Sequence, residues 1–143
     1  MRILLTYISL LFILAFATEA MAQSQIAIIA NKSVKEGSIS KSTLIDIFTL
    51  NKSFWSNGSK ITVVDLRGES QMKEGFYDFL GFSYSEIQKI WLKRQFSGKS
   101  MPPIACKSER EIVEKVASTP GAIGYVSLKN ASKEVRILAK IQP

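Results

Sequence analysis

Three short runs, at residues 26–30, 61–64 and 122–126, are apolar except at Thr62 and have polar or periodic sequence on either side. Near-continuous apolarity over four or five residues suits a strand buried on both faces of a sheet. Between the runs, apolar residues recur at helical spacing: Leu44, Ile45 and Phe48, then Met72, Phe76, Phe79 and Leu80, then Ile87, Ile90 and Trp91, then Ile112, Val113 and Val116. Buried strands separated by amphipathic helices imply a mostly parallel sheet with helices packed on its faces, a three-layer α/β domain. A fourth strand is expected near residues 135–138, and Pro120-Gly121 should end the last helix.

Helix starts are legible in the same way. Ser40 and Ser70 can each cap the helix that follows, and Ser83 with Glu86 and Ser108 with Glu111 have capping-box spacing. Residues 31–40 read as a loop, 51–60 as a turn-rich connection whose Phe54 and Trp55 fold back onto the core, and 97–103 as irregular chain rich in glycine, serine and proline. Residues 65–70 read as a polar turn between the second strand and its helix.

The amino terminus has a separate character. Arg2 precedes an apolar run over residues 3–16 that ends in Ala20-Met21-Ala22, the order of a secretory signal peptide. Residues 1–22 are therefore expected to be a leader cleaved after Ala22, leaving residues 23–143 as one domain that is periplasmic or secreted and soluble. Removing the leader takes away Arg2 and Glu19, so the net charge of +7 stays with the working domain. Such a surplus draws anions. The lysines are scattered without interleaved aromatics, which points to a solvated basic surface and not to a nucleic-acid partner.

The chain has no histidine and a single cysteine, Cys106. Histidine-dependent triads and the common zinc sites are therefore excluded, and neither a cofactor nor a metal is implied. No catalytic residue is assigned. Asp65 and Glu69 could form a carboxylate pair, but acids in such a turn more often partner Arg67 or a lysine.

In open α/β sheets, ligands sit beyond the carboxyl ends of the strands. The turn holding Arg67, Gly68, Glu69, Ser70 and Gln71 is the leading ligand-binding candidate. Glycine permits close backbone approach there, Ser70 caps a helix, and Arg67 adds a guanidinium beside the helix amino end, where an anion would find donors and positive potential. The same residues also suit an ordinary cap next to a solvated arginine. Asn31 and Ser127, which follow two other strands, and Trp55 complete the candidate cleft.

Several segments together resemble the phosphate-binding proteins of ABC transporters: residues 26–31, 40–48 ending in Leu44-Ile45-Asp46-Ile47-Phe48, Phe54-Trp55, 61–70, and Thr119-Pro120-Gly121-Ala122-Ile123-Gly124-Tyr125-Val126. The resemblance implies a type II periplasmic binding-protein fold, with a mixed sheet and helices on both faces, and this chain is long enough for one of the family's two lobes. Counting back from Phe76 puts the family's binding serine on Ser70. Gln71 and Met72 hold the next two positions, where the family has glycine and threonine, and the family's arginine falls near Leu66. The implied function is weak binding of phosphate or another small oxyanion by an exported module that works with a membrane permease. The alternative is an envelope interaction or sensory module that keeps the fold without a ligand, docking a receptor or a second copy of itself.

Overall fold

The computed structural model describes residues 25–143 together with Met1 and Ile3. Apart from those two residues, the expected leader and its cleavage point lie outside the described residues. The elements follow in the order β1 (Ile26–Ala30), α1 (Lys41–Phe48), β2 (Thr62–Leu66), α2 (Gln71–Leu80), α3 (Tyr84–Phe96), β3 (Ile104–Cys106), α4 (Glu109–Ser118), β4 (Ala122–Ser127) and β5 (Arg136–Ile141).

The five strands form one sheet in the order β3-β2-β4-β1-β5. β2 is parallel to both β3 and β4, whereas β1 is antiparallel to both β4 and β5. β5 therefore runs with the other three, and β1 alone is reversed. The expectation of a mostly parallel sheet holds for strand direction, while half of the neighbouring pairs are antiparallel.

β4 reveals the layers, because successive side chains of a strand point to opposite faces. A Cβ on Gly124 would lie 3.0 Å from Ile112 and 3.3 Å from Val116, so α4 packs closely on that face. The next residue, Tyr125, stacks on Phe76 with ring centroids 4.0 Å apart and meets Phe48 edge-on at 5.9 Å. α1 and α2 thus cover the other face. The Trp91 indole donates to the Phe48 carbonyl at 2.7 Å, which ties α3 to the end of α1 on the same side. The domain has helices on both faces of a mixed sheet, as the resemblance implies.

Each of α1 to α4 begins on a serine whose hydroxyl accepts an amide three residues on: Ser40, Ser70, Ser83 and Ser108. Only Ser83 and Glu86 close a reciprocal capping box. Glu111 turns its carboxylate onto the Lys107 amide instead.

Three expectations are corrected. Asp65 and Leu66 belong to β2 and not to a turn, because the polar Asp65 is fully partnered inside the domain. β3 is a further strand, three residues long, paired with β2 through Ile104 and Val64. Of the two aromatics in the connection, Trp55 is buried and donates to the Gly121 carbonyl at 2.9 Å, but Phe54 is 58% exposed. The segment turns tightly at this point. Gly121 has φ +75°, and a Cβ there would fall 2.2 Å from the Lys60 carbonyl oxygen, so no other residue fits.

Candidate functional site at the carboxyl edge of the sheet

Because β2, β3 and β4 share a direction, their carboxyl ends open on one edge. There β2 passes into the turn before α2, β3 passes into α4, and β4 ends at Ser127. The Arg67 amide donates to the Cys106 carbonyl at 2.7 Å, which joins the first two of these turns. Arg67, Gly68, Glu69 and Gln71 are exposed and Ser70 is half-buried. Gly68 lies in the left-handed region at φ +78°, with open space where a Cβ would be. This bend sets Ser70 as the cap of α2, its hydroxyl accepting the Lys73 amide at 3.1 Å. Among the described residues, the amides from Gly68 to Met72 donate to no protein atom.

The turn rests on a polar network beneath it. Asp65 is buried, and its Oδ1 accepts the hydroxyls of Tyr77 at 2.7 Å and Tyr125 at 2.6 Å. Its Oδ2 pairs with the Lys73 ammonium at 3.1 Å. Lys73, only 1% exposed, also donates to the Leu66 carbonyl, and its ammonium lies 3.6 Å from the centre of the Tyr84 ring. Burial, then the neighbouring charges and hydrogen bonds of Tyr125 and Asp65, pushes the Tyr77 hydroxyl well above its ordinary value; burial and Asp65 do the same to Tyr125. Both tyrosines therefore remain donors. A buried carboxylate would be costly alone, but this one has three donors, and its ion pair ties the end of β2 to the first turn of α2.

Sequence reasoning missed this network. The signal was Lys73 itself, which shares one helical face with Phe76, Tyr77 and Leu80.

The rest of the candidate cleft divides. Ser127 does reach the edge, where its amide donates to the Glu109 carboxylate from the first turn of α4. Asn31 and Trp55 do not. β1 is reversed, so Asn31 lies at the opposite edge, with its amide on the Ala122 carbonyl and its side chain donating to Val116 and Ala117 at the end of α4. Trp55 is held at that same far edge through Gly121. Cys106 ends β3, is buried, and has its thiol pushed up by that burial, then by Glu111. A raised thiol is a poor nucleophile, in keeping with a structural role.

The fold is that of about half of several solved substrate-binding proteins of ABC transporters. Solved structures similar to the chain include an ABC-type phosphate transport receptor from Vibrio cholerae, at TM-score 0.64 and 17% identity over 81% of this chain and 46% of that one. A candidate phosphate ABC transporter substrate-binding protein with bound phosphate, from Clostridium perfringens, gives TM-score 0.66 and 20% identity over 80% and 45%. PstS from Borrelia burgdorferi gives 0.63 and 22% over 85% and 52%. The chain thus spans about half the length of the proteins it resembles. No family model matches it, and no curated protein does.

Proposed function

We propose that the chain is an exported solute-binding module that takes a small oxyanion, of the phosphate or sulfate kind, on the turn from Arg67 to Gln71. The observation that carries this reading is the set of amides from Gly68 to Met72, without protein acceptors, at a serine-capped helix start beside the exposed Arg67. Such a terminus carries partial positive charge, and a guanidinium adds a full one. The solved neighbours reported with phosphate in their names support the same ligand class. Export rests on the leader expected over residues 1–22, and a permease would be the partner of a transport role. No helix among the described residues is long and apolar enough to cross a membrane.

One lobe offers half a clamp, so affinity should be about millimolar, near the low end of specific binding. Calorimetry with phosphate, sulfate and acetate tests this. Heat is expected for the tetrahedral anions and should weaken about fivefold in Arg67→Ala, whose exposed side chain leaves the fold intact. An absence of heat, with an unchanged melting temperature at high ligand, would redirect the reading to a ligand-free interaction module.

A further inference from the structure

A second surface lies at the opposite end of β2. The large hydrophobic side chains exposed between residues 25 and 143 are Phe54, Leu92, Phe96, Met101, Ile104 and Ile137, and all but Ile137 gather where α3 ends and β3 begins. Phe96 is 88% exposed, Met101 72% and Leu92 52%, and Met101 lines a hollow together with Phe54 and Ile104. Leu92 and Phe96 are four residues apart on α3 and share a face. Two hollows, of about 460 and 670 Å³, adjoin at Lys99, and their walls supply Lys52, Lys60, Lys93 and Arg94 with no acidic side chain.

Apolar tips ringed by cations, with Asp46 behind Asn51 as a neighbouring acid, suit an interface between water and an anionic lipid layer. There the apolar groups enter the acyl boundary while the lysines stay among the headgroups. Other occupants fit less well. A second copy meeting the same face would oppose cation to cation. A peptide adding to the sheet edge would find only three residues of β3, preceded by Pro102 and Pro103, which have no amide hydrogen to give.

We infer that this corner, formed by the end of α3, residues 97–101 and the start of β3, docks the domain on an anionic membrane surface. The anion turn lies beyond the other end of β2, roughly 13 Å along the strand by its rise per residue, and so faces away from the lipid. The inference does not depend on the oxyanion reading.

The test is co-flotation of the full chain with vesicles of phosphatidylcholine alone or mixed with phosphatidylglycerol, read as the ratio of bound fractions. Residues 1–24 are common to every variant, and any lipid affinity of their own should enter both vesicle types. The ratio should be about tenfold or more. It should fall at least about fivefold in Phe96→Ser/Met101→Ser and in Lys93→Gln/Lys99→Gln, with melting unchanged because these side chains are exposed. Hydrogen exchange of the unaltered chain should slow at residues 92–101 when anionic vesicles are added. A ratio near one would overturn the inference, as would protection confined to other residues. So would a ratio that survives removal of Phe96 and Met101, since that would signal generic charge attraction of the kind polyglutamate would compete for.

Discussion

Two helices start side by side at the carboxyl edge of the sheet, and their ends differ in what already occupies them. α4 brings Glu109 and Glu111 in its first turn, one accepting the Ser127 amide and the other the Lys107 amide. α2 has acids nearby in Glu69 and Glu74, both exposed, yet neither accepts an amide from Gly68 to Met72, and Arg67 stands beside them. Both helices carry the same serine cap, so the cap alone does not make an anion site. The difference lies in local carboxylates. At α4 the chain's own carboxylates add negative charge around the helix start and take the neighbouring Lys107 and Ser127 amides; at α2 an arginine stands beside the start with a buried ion pair beneath, which leaves the positive end of that helix receptive.

The largest expected effect probes the support under α2. Lys73→Met leaves Asp65 without its charged partner inside the domain and should cost about 3–5 kcal/mol in urea unfolding, whereas Glu111→Gln at the start of α4 should cost under about 1 kcal/mol. If the two losses were equal, the ion pair would not distinguish the two ends. Next comes the cap itself. Ser70→Ala and Ser108→Ala should each lose about 1 kcal/mol of stability, but only Ser70→Ala should weaken phosphate binding, by about tenfold, in calorimetry. The smallest effect reverses the sign. Glu109→Gln removes a negative charge from the shared edge and should raise phosphate affinity about two- to threefold at low salt, a gain that added salt erases.

Much of the architecture was legible in the sequence where burial is complete and local. β1 and β4 are buried along nearly their whole length, so their unbroken apolar runs mark them directly. β3 was not legible because Ile104 and Ala105 are exposed and two prolines precede them, leaving no periodic signal over three residues. β2 reads as ending at Val64 because Asp65 is polar; its burial depends on Lys73, Tyr77 and Tyr125, partners 8, 12 and 60 residues away that no local window contains. The start of α2 at Ser70 follows from capping chemistry alone. The placing of Asn31 and Trp55 in the cleft fails for a different reason. Which end of β1 faces the mouth depends on its antiparallel pairing with β4, and strand direction is a property of the sheet that a strand's own residues do not encode.

The most direct test follows backbone amide resonances, assigned by NMR, during titration with inorganic phosphate against a chloride control of equal ionic strength. Saturable shifts at Gly68 to Met72 and the Arg67 side chain, with Lys107 to Ile112 unmoved, are the predicted result. Shifts centred on the start of α4, or none at either helix, would contradict the claim that the local charges make α2, and not α4, the helix start that receives an anion.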